Sequence, residues 1–161
     1  MSSIGVHKDV EALTLTVTAS FGAPLERVWE LWADPRQLER WWGPPTHPAT
    51  VVEHDLRPGG RVAYFMTGPD GKRYHGWWRV TAVEPPGRLS FEDGFADVDG
   101  NTLDDMPTAA VSVALVEAAG VTTMTVTSQY SSRADMEKVL AMGVEEGIAA
   151  AMGQIPALLA A

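Results

Sequence analysis

Apolar and polar residues alternate along several stretches of this chain, a pattern that predicts β-strands with one buried face. In the strand predicted to begin at Ala12, every second residue from Leu13 to Phe21 is apolar, and the residues between these are Thr or Ser. Residues 1–11 show no such pattern and are expected to form a loose lead-in. The same reasoning predicts further strands over residues 50–56, 61–67, 72–83, 88–93, 109–117 and 121–130.

Helical spacing of apolar residues interrupts this pattern directly after the first strand. Leu25, Val28 and Trp32 follow one another at steps of three and four, which predicts a short helix beginning near Pro24. The pair Asp34-Pro35 is typical of a helix start and predicts a second short helix, which ends at the Gly-Pro-Pro sequence 43–45.

The last stretch, residues 131–161, predicts one long helix that begins at the capping residue Ser132 and kinks or ends near Pro156. Small and apolar residues share one face of this helix and are expected to be buried. They are Met136, Val139, Leu140, Gly143, Gly147, Ala150, Ala151, Ile155 and Leu158.

The middle of that face carries glycine and alanine where a core helix normally carries Leu or Ile. Each glycine inside a helix costs about 1 kcal/mol relative to Ala. Two explanations remain open: Gly143 and Gly147 allow the helix to lie close to the sheet, or they border unfilled volume that receives an apolar ligand. Leucine at either position should overpack a close contact, but should fill a real cavity and block its ligand.

The order of elements is strand, two helices, strands and helix, with no alternation of strand and helix. It predicts one α+β domain over residues 1–161, with a curved antiparallel sheet of about six to seven strands wrapped around the C-terminal helix. The two short helices follow the first strand.

Charge and composition exclude several classes of partner. The net charge of −9 opposes binding to nucleic acid or to an anionic membrane surface. The chain has no cysteine and no apolar leader, and its apolar C-terminal stretch is too short to span a bilayer, so we expect a cytoplasmic protein without membrane insertion. No cofactor and no metal are expected.

Sequence signatures of hydrolases, nucleotide-binding loops and zinc proteases are absent from the chain. Among the histidines, His54 alternates with apolar strand residues and is a weak catalytic candidate together with Tyr64. His7, His47 and His75 are expected to be solvated. The acidic stretch 97–105 lacks the spacing of a calcium loop and predicts a turn.

Aromatic and methionine side chains that face inward are candidates for the wall of a ligand pocket or for simple core filling. The candidate ligand-binding residues are Trp41, Trp42, His54, Tyr64, Met66, Trp78, Phe91, Met124, Met136, Leu140, Gly143 and Gly147.

Several short sequences follow one another along the chain, at residues 21–24, 27–29, 41–44, 55–60 and 85–89, and Gly143 and Gly147 follow them. In this order they resemble the START-like or SRPBCC superfamily, whose helix-grip fold is also that of the birch pollen allergen. Within it the chain is similar to bacterial homologues of the heat-shock protein 90 ATPase activator. Ile148 stands where the family commonly has Trp.

The resemblance implies a cavity between helix and sheet for a lipid, polyketide or other small apolar or amphipathic molecule. Two alternatives stay open. One is a cyclase or hydrolase that uses the same cavity, with His54, Glu53, Asp55 or Tyr64 transferring protons. The other is an interaction protein of the stress response that contacts a heat-shock chaperone. Homodimer formation is left open by the sequence.

Overall fold

The computed structural model describes residues 3–160. The elements in chain order are β1 (Ser3–Asp9), β2 (Thr14–Phe21), α1 (Leu25–Ala33), α2 (Pro35–Trp41), β3 (Ala49–His54), β4 (Arg61–Thr67), β5 (Arg73–Glu84), β6 (Arg88–Ala96), β7 (Ala109–Ala118), β8 (Val121–Tyr130), α3 (Arg133–Ala141), α4 (Val144–Met152) and α5 (Ile155–Ala160).

The strands form one antiparallel sheet in the order β1-β2-β8-β7-β6-β5-β4-β3. The predicted α+β architecture with a curved sheet and C-terminal helix is confirmed. The eight strands in the described part exceed the predicted number because β1 forms where a loose lead-in was expected. That expectation was wrong: Ile4 and Val6 are spaced two residues apart and both pack against the core, and Val6 lies opposite Val17 of β2.

The hydrophobic core lies between one face of the sheet and the helices. In β2 the alternation predicted from the sequence is present, because Leu15, Val17 and Phe21 are buried. Trp32 of α1 is fully buried at the centre of the core, and its indole N–H donates to the sulfur of Met124 at 3.3 Å.

The C-terminal stretch is helical, but it consists of three segments and not of one continuous helix. The predicted cap is present, since Ser132 Oγ accepts a hydrogen bond from the backbone N–H of Asp135 at 3.1 Å. Helix α3 ends where Gly143 adopts a φ of +85°, a left-handed conformation that L-residues with a side chain rarely take. The next break is at Gly153, and Pro156 lies in the first turn of α5.

Helix α2 covers the outer edge of β3. Asp34 caps this helix, as predicted, by accepting from the backbone N–H of Arg36 at 2.9 Å. The guanidinium of Arg36 donates to the carbonyl oxygen of Val51 at 2.8 Å, and the N–H of Val51 donates to the carboxylate of Glu39 at 2.9 Å. Both backbone groups that Val51 turns away from the sheet therefore have partners.

Within residues 3–160, we find no helix with the length and apolar character that crossing a bilayer requires.

Candidate functional site

A cavity of about 730 Å³ lies between helices α3 and α4 and the sheet. Half of the predicted ligand-binding residues line it: Trp41, Trp42, Tyr64, Met66, Gly143 and Gly147. Its rim includes Tyr74 and Met142, which are exposed at the surface. The cavity therefore occupies the position that the glycine-rich helix face predicts.

The two glycines border open volume and do not pack closely on the sheet. Within residues 3–160, a Cβ atom added at Gly147 would meet no other side chain or distant backbone atom closer than 4 Å. At Gly143 the nearest such atom is Oε2 of Glu146, at 3.9 Å. Close packing is therefore wrong as the explanation for these glycines. Gly143 also provides the positive φ of the helix break, a requirement that the spacing of apolar residues does not reveal.

Five predicted lining residues lie behind the cavity wall. The rings of Trp78 and Phe91 stack at 3.9 Å between centroids with an interplanar angle of 15°, so each covers the other. Met124 is buried against Trp32, and Met136, a residue of α3, is fully buried. Leu140 packs against the core as well. The prediction that these five side chains line the cavity is therefore corrected, because inward orientation on a strand or helix does not distinguish the core from a cavity surface.

His54 also lies away from the cavity, which corrects its predicted placement. Its Nε2 atom is 3.0 Å from the carbonyl oxygen of Trp32, so the imidazole ties β3 to α1. The neighbouring carboxylates of Glu53 and Asp55 form ion pairs with Arg61 and Arg57 at the surface. None of the three joins Tyr64, so the proton-transfer group suggested by the sequence does not assemble.

The other histidines differ in their surroundings. His7 is exposed on β1, as expected. The solvated placement expected for His47 is corrected, since it is half-buried at the cavity rim, 2.8 Å from Thr46 Oγ1 through its Nδ1. His75 is half-buried beside the ring of Phe65, so its expected exposure was wrong.

The polar end of the cavity is formed by Tyr64 and Asp93, whose side chains approach across strands β4 and β6. The hydroxyl of Tyr64 donates to Oδ1 of Asp93 at 3.3 Å. Gly76 lies opposite Tyr64 on β5, and the phenol occupies the space that a Cβ atom at Gly76 would need. This glycine allows the Tyr64 side chain to cross β5 and reach β6.

Indole groups surround the phenol oxygen of Tyr64. The N–H groups of Trp42 and Trp78 are near enough to oppose the rise in the Tyr64 pKa, although neither makes a hydrogen bond of acceptable geometry. The partial positive charge of these two N–H groups favours the phenol oxygen as an acceptor. The hydroxyl hydrogen is then available for the hydrogen bond to Asp93.

Burial shifts the protonation of this group of side chains. It raises the pKa of Asp93 to about 7, against the opposing hydrogen bonds from Tyr64 and from the backbone N–H of Gly94. Burial and the nearby Asp93 charge raise the pKa of Tyr64 well above its ordinary value and that of Tyr130 to about 12. Both phenols therefore stay neutral at physiological pH, and Asp93 titrates near neutrality.

Sequence reasoning missed several residues of the site. A signal existed for Asp93, because it continues the inward alternation of Leu89 and Phe91 on β6. Tyr130 gave a similar signal, because it ends β8 in phase with the buried residues Met124 and Val126. Glu146 lines the rim from α4, and the helix break at Gly143, which precedes it, could not be located from the sequence.

The acidic stretch after β6 folds as a turn. One carboxylate oxygen of Asp97 accepts from the backbone N–H groups of Asp99 and Asn101, both at 2.9 Å. These hydrogen bonds, first that from the backbone N–H of Asn101, lower the pKa of Asp97.

Comparison with known proteins identifies relatives over nearly the whole length. The family model of the activator of Hsp90 ATPase homolog 1-like proteins matches residues 22–160. No curated protein matches the chain.

Solved structures extend this similarity to the three-dimensional fold. A crystal structure of a Mycobacterium smegmatis protein is 53% identical, with a TM-score of 0.90 over 98% of this chain and 97% of that one. A solution structure from Arthrobacter aurescens is 48% identical, with a TM-score of 0.93 over 97% and 91%. A protein from Silicibacter pomeroyi, at 22% identity and a TM-score of 0.72 over 91% and 97%, supports the fold alone.

Proposed function

We propose that this chain, which belongs to the family of activator of Hsp90 ATPase homolog 1-like proteins, binds a small apolar or amphipathic ligand between its C-terminal helices and its sheet. The observation that carries the proposal is the cavity of about 730 Å³, which falls within the range of about 300–1,000 Å³ usual for small-molecule sites. The open volume beside Gly147 supports it, because a helix glycine that touches nothing is costly for the fold alone.

The lining indicates the general character of the ligand. Most of the wall is aromatic or aliphatic, including Trp42, Met66 and Ile148. Asp93 and Tyr64 supply polar atoms at one end, where they could fix the orientation of one ligand group. A molecule with a large apolar part and a single polar group fits this distribution.

Native mass spectrometry of the purified protein tests the proposal. We expect the native protein to have a mass above that of the polypeptide. Denaturation should release a small organic molecule and reduce the mass to that of the polypeptide. Isothermal titration of delipidated protein with decanol, a neutral apolar probe, is the second measurement. If no molecule copurifies and decanol does not bind, the cavity is not a ligand site.

Acid–base catalysis in the same cavity is a second candidate, and the observation that favours it is the contact between Tyr64 and Asp93. A carboxyl group with a pKa of about 7 exchanges a proton readily at neutral pH. Once a ligand is known, a turnover assay tests this candidate. The Asp93→Asn variant should abolish turnover, and a variant that keeps its rate would exclude Asp93 as the proton-transfer group.

A third candidate, stimulation of a heat-shock ATPase, rests on the family description alone. Adding the protein to a purified Hsp90 ATPase tests it, and an unchanged rate would dismiss it. We also propose that the chain forms one domain, which is supported by the continuity of the sheet from β1 to β3.

A further inference from the structure

The charged side chains that line the cavity have one sign. Among the described residues, Asp93 and Glu146 contribute carboxylates to the lining, and no lysine or arginine lies there. His47 is the remaining side chain of the lining that could carry a positive charge. With 12 basic and 21 acidic residues, the whole chain also attracts cations.

Asp93 has no positive partner among residues 3–160, in contrast to its neighbour on the strand. Glu92 points to the other face of the sheet and pairs with Arg79 at 3.4 Å. The side-chain partner of Asp93 is the neutral hydroxyl of Tyr64. A carboxylate that loses water without gaining a cation is held at a free-energy cost, which a cationic ligand would relieve.

Aromatic rings make up much of the remaining lining of the cavity. Trp42, Tyr64, Tyr74, Phe95 and Tyr130 all line the cavity. The negative faces of such rings attract an ammonium group, and more strongly where water is excluded.

We propose that the ligand is an amphipathic amine, whose ammonium group is bound by the Asp93 carboxylate among these rings while its apolar part fills the volume beneath α4. This inference rests on the proposed function and specifies the ligand class for the same cavity. Alkyl, aryl and quaternary amines share the required chemistry, which is a cation joined to an apolar body.

Isothermal titration at about pH 8 with probes that differ in one group tests the inference. Decylamine is a cation at this pH, since alkylammonium groups have a pKa near 10.4, and most of Asp93 is ionised. We expect decylamine to bind about tenfold more tightly than decanol, and decanoate to bind least, because a hydrogen bond to a charged group is the stronger one. Spermidine, a cation with little apolar surface, should bind weakly.

Two variants locate the effect. Asp93→Asn should reduce decylamine affinity about tenfold more than it reduces decanol affinity, so that the preference for the amine is lost. Glu92→Gln is the matched control, because it removes the adjacent carboxylate from the opposite face of the sheet and should change neither affinity. Circular dichroism verifies that both variants fold.

The outcomes separate this inference from the function on which it rests. If decanol binds the cavity and decylamine binds no more tightly, the amine assignment is wrong while apolar binding stands. A preference for decylamine that survives Asp93→Asn, or equal binding of spermidine, assigns the cation to the protein surface and also overturns the inference. If no probe binds, the proposed function itself fails.

Discussion

Substitution of Gly147 tests the cavity directly, because this position lies in the middle of α4 and faces the open volume. Gly147→Ala should stabilise the protein by about 1 kcal/mol, the helix-propensity difference between the two residues. No steric clash opposes the gain, since the added Cβ meets no side chain or distant backbone atom of residues 3–160 within 4 Å. For a chain of this size the melting temperature should rise by roughly 2–4 °C.

Gly147→Leu extends the same substitution into the cavity. Leucine has nearly the helix propensity of alanine, so the variant should keep the stability gain. Any burial of its side chain against the cavity wall adds to that gain, up to about 1.5–3 kcal/mol for a fully buried leucine. Its branched end occupies volume that a ligand would need, so affinity for decanol should fall at least about tenfold, the equivalent of about 1.4 kcal/mol.

Differential scanning calorimetry and titration with decanol, applied to both variants, give the two readouts. The alanine variant is the matched control, because it changes the helix without removing much of the cavity, and its decanol affinity should stay that of the original protein. A leucine variant that melts several degrees lower would show that the site is closely packed. One that is stable and binds decanol normally would place the ligand elsewhere.

Gly143 is not an equivalent test position, although the sequence suggested that it was. Its φ of +85° means that any side chain introduces backbone strain, at roughly 1–2 kcal/mol. Gly143→Ala should therefore lower the melting temperature, opposite to Gly147→Ala, and a rise would contradict the assigned helix break.

Three further predictions concern the carboxyl group and the packing around the sheet. Because the folded-state pKa of Asp93 is about 7 against an ordinary value of 3.8, the folded protein binds the proton more tightly, so stability is lost as pH rises through this interval. Asp93→Asn should remove that loss. Its melting temperature should exceed that of the original protein by an amount that grows from about pH 4 to pH 7, and a constant difference would refute the raised pKa of Asp93. Gly94→Ala should destabilise the protein by about 1–3 kcal/mol in urea unfolding, since the new Cβ would lie 2.5 Å from the ring of Trp77. Unchanged stability would mean that this ring moves aside without cost. Thr122→Val should cost about 1–3 kcal/mol in the same assay, because the buried hydroxyl donates to the carbonyl of Ala23 at 2.7 Å, and a neutral result would show that another donor replaces it.

Periodicity alone predicted most of the fold. The alternation in β2 and the turn sequences between the later strands place their elements within a few residues, because each signal is local and each strand has one buried face. The first strand was missed since its polar spacing is interrupted by Gly5 and its inward residues are only partly buried. The break at Gly143 was missed because a glycine in the sequence is compatible with both a helical and a left-handed backbone conformation.

The site was less predictable than the fold for a different physical reason. Inward orientation was correct for Trp78 and Phe91, but their mutual stacking, which removes them from the cavity surface, depends on contacts between two strands. Asp93 had the inward phase as well. The hydrogen bond that its carboxylate accepts from the hydroxyl of Tyr64 joins residues 29 positions apart, and no local pattern indicates such a contact.

The hydrogen bonds that Arg36 and Glu39 make with Val51 determine where the sheet stops. A border strand with free backbone groups is a template on which another polypeptide can assemble, and this is a common origin of aggregation. Here one short helix occupies both groups at the middle of that border, so a ninth strand cannot add in register beside β3.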